Sequence, residues 1–515
     1  MRSLVIGVDL GTSGVRAVAV DRSGTVVGSA ARGYQVHAPY PGYAEQDPEE
    51  WWRSTCEALR ECVAVAGQST IEGIGFSGQM HGTVLIDPKG SVVRPAIIWP
   101  DQRSGESCRR FVARVGADWL AARTQNSLAT GFQLASLLWL SENDPSSLAR
   151  AFRVLLPKDF IRGRMSGVWA TEPSDACSTL AFDSARCAWA DDVIAAAGIR
   201  RDLFPECRSS CDSAGCLREA AAAETGLPAG IRLFMGGGDT PSTALGSGVL
   251  SKGQCMVTIG SGGQLVAPLD EPRYDTALRT NTFCHVVPRT WYAMGAILSA
   301  GLSLKWLREK ILGPDAPDFA RLAASAEHVP PGAEGLIFLP YLTGERTPHM
   351  NPDACGVFFG LTPRHTAAHM VRAVMEGVAM ALADGLDVIR SLQVTPESVF
   401  AAGGGAKSQL WRQILADVFD CPIAVSEERE RAAIGAAMVA ATGVGWFENL
   451  EKASDAWRAP VKDVATPQAA QVEHYRELRA LFRQVYRSLE ECMDARAESL
   501  RNRQGNPDPF CGSSE

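Results

Sequence analysis

At 515 residues the chain exceeds what one hydrophobic core usually supports, so two large domains are expected. It is 46% hydrophobic and 21% charged, an ordinary globular composition, and its net charge of −8 argues against a nucleic-acid surface. No apolar run approaches the length of a membrane helix, and the start Met1-Arg2-Ser3 shows no signal-peptide pattern, so a cytoplasmic protein is expected. The 14 cysteines are scattered and read as reduced thiols; Cys207, Cys211 and Cys216 cluster, but without the fourth ligand of a zinc site.

Leu4, Val5, Ile6 and Val8 form an apolar run that reads as a strand buried on both faces, with Ala17–Val20 as its partner. The turn between them, Gly11-Thr12-Ser13-Gly14, makes the pair a hairpin. Its glycines let backbone N–H groups converge on one concavity suited to a phosphate, and Thr12 and Ser13 add hydroxyls. Asp9 ends the first strand at the same mouth, where a carboxylate can hold a metal-bound water. Taken alone, such a turn is more often an ordinary tight hairpin.

Thr25–Ala31 continues the sheet, and Asp47-Pro48 opens a helix whose Trp51 and Trp52 read as core. Ile71–Phe76 is a short strand ending in Ser77-Gly78-Gln79-Met80-His81-Gly82, and Thr83–Ile86 is the next. Ala96–Trp99 ends at Pro100-Asp101-Gln102-Arg103, and the chain from Ser104 to about Arg150 reads as largely helical. A further helix enters through Pro157, with Lys158 and Asp159 as a pair on a solvated face. Thr171–Thr179 is small and polar and reads as a loop. Ile231–Met235 is a strand running into Gly236-Gly237-Gly238-Asp239, followed by a small-residue helix over Pro241–Leu250.

After residue 250 the opening pattern returns: strand Gln254–Ile259, turn Gly260-Ser261-Gly262-Gly263, return strand Gln264–Pro268. This repetition sets the expected domains at 1–246 and 247–490, with a polar tail over 491–515 that frays from about Arg496. Helices over Leu302–Leu312 and Thr366–Leu392 flank the loop Pro340–Pro352, where Glu345 and Arg346 read as a buried ion pair. Ser398–Ala402 is a strand ending in Gly403-Gly404-Gly405-Ala406, Ile434–Ala441 a helix small enough to pack closely on another, and His474–Leu489 amphipathic. The lysine-bearing phosphate loop and the His-Arg-Asp kinase loop are both missing from the sequence. Two glycine hairpins plus a glycine triple, which lets a flat adenosine lie against backbone, suit a nucleotide held between two domains.

The runs IGVDLGTSGVR at 6–16, AEQDPEEWW at 44–52, SGQMHG at 77–82, RPAIIWPDQR at 94–103 and LLPKDFIRGRMSG at 155–167 carry a resemblance. It continues in GGGD at 236–239, LPYLTGERTPHMNP at 339–352, GVFFGLT at 356–362 and GGGAKSQLWRQILAD at 403–417. With these the chain resembles the FGGY family of carbohydrate kinases, in the actin-like superfamily, with His369 and Glu376 at polar positions of the family's second signature. The resemblance implies an α/β fold of two actin-like (ribonuclease H-like) domains flanking a deep catalytic cleft. It implies ATP binding through Gly11, Thr12, Ser13, Arg16, Gly260, Ser261, Gly262, Gly404, Gly405, Ala406 and Ser408, with Mg²⁺ at Asp9 and Asp239. Gln79, Met80, His81, Asp101, Asp239 and Thr240 would contact the sugar, and Asp239 would be the general base.

The implied substrate is a ketopentose, in the first place D-xylulose giving D-xylulose 5-phosphate; ribulose, an alditol or a deoxyketose signal are the alternatives within the class. Sugar and ATP are the expected partners, with neither nucleic acid nor membrane, and a homodimer is the expected oligomer. An inactive actin-like ATP-binding regulator is the reading from another class; it would have lost Asp9 or Asp239, and both are present. On local sequence alone Asp239 is equally a helix N-cap, and a histidine like His81 at a strand end is more often structural. Three positions depart from the usual pattern: Thr240-Pro241-Ser242 after the aspartate, the second turn Gly260–Gly263, and Ser136 where many relatives carry lysine.

Overall fold

The computed structural model describes residues 2–426 and 430–503. The chain forms two compact units, one of Met1–Lys252, Pro268–Ala293 and Glu427–Pro460, the other of Gly253–Ala267, Met294–Ser426 and Val461–Glu515. The units are therefore not contiguous in sequence. A single boundary near residue 247 misses that the helix Arg431–Gly443 packs on the strands Arg2–Leu10 and Ser69–Gly78 of the first unit.

In the first unit the sheet runs Ser213–Cys216, Arg232–Phe234, Ser69–Gly78, Arg2–Leu10, Gly14–Asp21, Val26–Gly33. Arg2–Leu10 pairs antiparallel with Gly14–Asp21, setting Asp9 opposite Arg16, and parallel with Ser69–Gly78, setting Asp9 beside Ser77. The two-residue strand Gly237–Gly238 lies parallel on the other side, Gly237 beside Ser77. Asp9, Ser77 and the glycine run thus meet at the carboxyl ends of parallel strands, where open α/β sheets place their ligands.

The apolar run of the first strand is fully buried because both faces are covered. Leu4, Ile6 and Val8 share a core with Trp51 and Trp52 from the helix Pro48–Ala66. Val5, Val18 and Val20 face Ala433, Ala437 and Ala441 of the helix Arg431–Gly443. That helix comes so close that a Cβ on Gly7 would stand 1.8 Å from the Ala433 carbonyl oxygen, and one on Gly75 1.9 Å from that of Ala436. The small residues of the sequence are what this contact requires.

In the second unit the sheet runs Trp291–Ile297, Gly263–Leu269, Gln254–Ile259, Ser398–Ala402, Ile423–Ser426, Val461–Ala465. Gln254–Ile259 pairs antiparallel with the return strand and parallel with Ser398–Ala402, as the first strand of the chain does with its own neighbours. The duplication read from the two glycine turns is a duplication of sheet topology.

Two expectations are corrected. Thr171–Thr179 is a short helix, Pro173–Ala176, and a 3₁₀ turn, Cys177–Thr179, buried except at Pro173, in which Glu172 accepts the Ser174 and Asp175 N–H groups and the Ser178 and Thr179 hydroxyls donate to carbonyls three residues back. The helix Ala469–Arg503 continues through the expected tail, tied by Asp494 to Asn351 at 3.1 Å and by Arg501 to Asp353 at 2.8 Å. Residues 504–515 of that tail lie outside the described residues.

Candidate active site

The first unit's site is built at the strand ends. Asp9 accepts the Ser77 hydroxyl at 2.9 Å, and burial holds its carboxyl above the usual range, against the pull of Ser77 and Arg16. Asp239 is the first residue of the helix Asp239–Ser247, behind Gly238 at the N-cap, and its Oδ1 accepts the Thr240 N–H at 2.7 Å. The N-cap reading of Asp239 is therefore not what the helix shows: the cap is Gly238, and Asp239 stands inside the first turn. Burial, and then the neighbouring Asp9 charge, push the Asp239 carboxyl up to about 7. Two titratable groups that drive one of them to the working pH are what acid–base chemistry uses.

The turn Gly11–Gly14 is held on every carbonyl side. Tyr34 donates its hydroxyl to Gly11 O and its backbone N–H to Ser13 O, and Gln46 donates its amide to Thr12 O at 2.8 Å. The Thr12 hydroxyl accepts the indole N–H of Trp99, itself 41% exposed, at 2.8 Å. A Cβ on Gly11 would meet only Gly14 O, at 3.3 Å, so the turn is open on its outer side. Arg16 pairs with Glu430 next to Asp9, which places it at the same strand end.

Met80 is buried and His81 half-buried. His81 has a left-handed backbone, φ 72°, rare for a residue with a side chain, and two contacts with Ser178 hold it there. Its N–H donates to the Ser178 hydroxyl at 3.2 Å, and Nδ1 lies 2.9 Å from the Ser178 carbonyl, which fixes the proton on Nδ1. The ring meets Phe132 edge-on at 4.5 Å between centroids. Met80 packs where a Cβ on Gly238 would stand 2.8 Å from its Cγ, so the methionine and the Asp239 loop are in contact.

Two residues expected at the sugar, Asp101 and Gln79, hold protein partners. Asp101 is buried and accepts Arg103 in a fork at 2.8–3.0 Å and the Ala44 N–H at 2.6 Å, so its carboxylate orders the loop. Gln79 donates to Gln46 at 2.8 Å, which in turn donates to Thr12 O, so it supports the turn Gly11–Gly14. Its Oε1 is buried without a partner. Thr240 contributes its N–H and hydroxyl to Asp239 itself.

In the second unit the turn Gly260–Gly263 docks on the start of the helix Gly301–Trp306: Gly301 donates to Gly260 O at 2.8 Å and Leu302 to Ser261 O at 3.0 Å. Gly404 is exposed, and a Cβ there would meet nothing within 4 Å. Gly405 differs: its Cβ would stand 2.4 Å from Ile259 Cγ2, so this glycine serves packing. Ala406 gives its carbonyl to Arg412 at 2.7 Å, and Ser408 caps the helix Gln409–Phe419. Glu345 and Arg346 do not form the ion pair expected; the Glu345 carboxylate accepts the backbone N–H groups of Leu298 at 2.9 Å and Arg346 at 2.7 Å.

Lys158 and Asp159 are fully buried, not solvated. Lys158 bonds Asp159, Glu172 and Asp175 at 2.8–3.2 Å, and Arg162 bonds Asp159 at 2.6 Å. Nothing local in the sequence marks Ser174, Ser178, Trp99 or Tyr34 as neighbours of the site; they arrive there through long-range packing. Among the described residues no group of three or more His, Cys, Asp or Glu could hold a metal. Asp9 and Asp239 alone fit an ion that takes one or two carboxylates and its remaining ligands from water and phosphate, as Mg²⁺ does. Among the described residues no helix is long and apolar enough to cross a membrane.

The N-terminal domain model of the FGGY family of carbohydrate kinases matches residues 4–246, and the C-terminal domain model 255–444. The chain is 37% identical over 486 residues to the xylulose kinase of Bacillus subtilis, covering 94% of this chain and 96% of that protein. It is 36% identical over 488 residues to the xylulose kinase of Escherichia coli, covering 94% and 99%. The crystal structure of xylulose kinase from Rhodospirillum rubrum superposes with a TM-score of 0.87 at 31% identity, covering 95% of this chain and all of that one. Matches of this extent in both halves, on a duplicated sheet with an aspartate at the strand ends, make the chain a member of the FGGY family of carbohydrate kinases.

Proposed function

We propose that the protein transfers the γ-phosphoryl group of ATP to the terminal hydroxyl of D-xylulose, giving D-xylulose 5-phosphate and ADP. The observation that carries the chemistry is Asp239: a half-buried residue at the start of a helix, whose carboxyl is raised to about 7 by desolvation and then by the charge of Asp9. The relatives named as xylulose kinases support the sugar. In this reading Met80 and His81 contact the sugar, and Gly404, Gly260, Ser261 and Gly262 contact the nucleotide.

The sugar oxygen attacks the γ-phosphorus while the bond to the β-phosphate oxygen breaks. The hydroxyl proton passes to Asp239, whose carboxylate also aligns the attacking oxygen. His81, with its proton fixed on Nδ1, turns Nε2 to the sugar as an acceptor. Thr12 and Ser13 offer backbone N–H groups and hydroxyls to phosphate, the Gly11 N–H being held by Gly14 O, and Arg16 adds a positive charge. Mg²⁺ held by Asp9 and Asp239 would neutralise charge on the transferring group. We place the reaction in the cytoplasm, where ATP is available and thiols such as Cys56, Cys62 and Cys255 stay free.

Release of ADP from ATP with D-xylulose, D-ribulose, L-xylulose, glycerol and gluconate tests the reading. D-Xylulose should give the highest kcat/KM, by about tenfold or more over its isomers. A higher value for another acceptor would replace the sugar, and no turnover with any would remove the activity.

A further inference from the structure

The catalytic loop and the sugar-contacting loop are both held by one buried segment, and that segment is anchored by charge. On the helix Pro157–Ser166, Lys158 and Arg162 lie one turn apart and point into the protein with Asp159 between them. Glu172 and Asp175, on the segment that follows, complete the cluster, and all five side chains are wholly inaccessible. Glu172 also accepts the N–H groups of Ser174 at 2.8 Å and Asp175 at 3.0 Å, which winds residues 172–178 into helical turns.

From this segment two serines reach the site. The Ser174 hydroxyl accepts the N–H of Gly238, the residue before Asp239, at 3.1 Å. The Ser178 hydroxyl accepts the N–H of His81 at 3.2 Å and donates to the Asp175 carbonyl at 2.7 Å, while its carbonyl meets His81 Nδ1. Arg162 adds a third point: its guanidinium donates at 2.8 Å to the carbonyl of Met235, where the glycine run begins. Lys158 lies beneath the other loop; a Cβ on Gly78 would stand 2.9 Å from its Cβ.

Buried charges are a poor source of stability, because desolvation cancels much of their attraction. Two cations face three carboxylates, and burial, with the nearby Asp159 and Glu172 charges, raises the Asp175 carboxyl against the pull of Lys158. What such a cluster supplies well is a single geometry, since any displaced member leaves an unpaired buried charge.

We propose that Ser174 and Ser178 are positioning residues of the phosphoryl transfer, Ser174 setting Asp239 and Ser178 setting His81, with the Lys158–Asp159–Arg162–Glu172–Asp175 cluster fixing both. This rests on Asp239 acting as base and His81 as sugar contact. It assigns the two serines opposite kinetic signatures, which a common structural role would not produce.

The test is steady-state kinetics of Ser174→Ala, Ser178→Ala and Lys158→Met with ATP and D-xylulose, beside Asp239→Asn and His81→Ala as references. Ser174→Ala should lower kcat by about tenfold or more with sugar KM within about twofold, because the base is displaced but the sugar contacts stay. Ser178→Ala should raise sugar KM several-fold with kcat within about twofold, a loss the size of one hydrogen bond. Lys158→Met should move both parameters in the folded enzyme; if it does not fold, the serine variants decide. Equal effects of the two serine variants on the same parameter, or no effect of either, would overturn the proposal. An Asp239→Asn enzyme with near-parental kcat would instead remove the base on which the Ser174 arm rests, whatever the serine variants do.

Discussion

Asp239 accepts the backbone N–H of its own successor, Thr240, at 2.7 Å, and does so from inside the first helical turn rather than from the cap. The carboxylate therefore has one oxygen tied to the helix start and is otherwise raised in basicity by burial and by Asp9. Asp239→Asn keeps the shape and the contact to Thr240 but cannot take a proton. Its kcat should fall by about 10²–10⁴-fold with ATP affinity little changed. For the parent enzyme, kcat/KM should rise as pH increases through about 7 and level off above it, since the base must be ionised to act. Purified Asp239→Asn retaining activity within a few-fold of the parent would falsify the assignment.

His81 is held by Ser178 in a backbone conformation it would not choose alone. His81→Ala removes the ring but leaves Asp239 in place. Sugar KM should rise by about tenfold, the equivalent of ~1.4 kcal/mol, with kcat affected less. A normal sugar KM in the folded variant would take His81 out of the sugar site.

Gly404 and Gly405 should separate cleanly although adjacent. Gly404→Val meets open space, so the fold should stay intact while the ATP KM rises by about tenfold or more. Gly405→Val drives its Cβ into Ile259 and should cost about 1–3 kcal/mol of stability. Thermal melts and ATP titrations of both variants provide the check; unchanged ATP affinity in Gly404→Val would place the adenosine elsewhere.

Glu345 gives a pH test away from the catalytic carboxylates. Burial pushes its carboxyl up to about 8, against the pull of the Arg346 and Leu298 N–H groups, and its Oε2 has no hydrogen-bond partner. Between about 4.5 and 8 the folded protein holds a proton that the unfolded chain releases, so the stability this group contributes falls as pH rises across that window. Glu345→Gln is neutral at every pH. Its melting temperature relative to the parent should therefore be more favourable at pH 9 than at pH 5, and an equal difference at both would show that Glu345 does not titrate in this way.

The strands, the two glycine turns and the aspartates are legible from local pattern alone. An apolar run such as Leu4–Val8 has one way to be buried on both faces, and the turns at Gly11 and Gly260 close on themselves locally, Gly11 N–H on Gly14 O and Gly260 N–H on Gly262 O. The small helix over Ile434–Ala441 was legible for the same reason, though not the strands it packs on, because nothing local says that Ala433 will meet Gly7. The fate of the polar groups is set by long-range packing. Lys158 and Asp159 look solvated in sequence and become buried because Glu172 and Asp175 come to meet them. Asp101, Gln79 and Glu345 are carboxylates and an amide whose roles depend on which partners reach them: Arg103 and Leu298 donate to the two carboxylates, and Gln46 accepts from Gln79. Periodicity records which residues leave water, since burial of apolar surface is set by composition and spacing; it does not record which polar group satisfies which, because that is fixed by contacts between residues far apart in the chain.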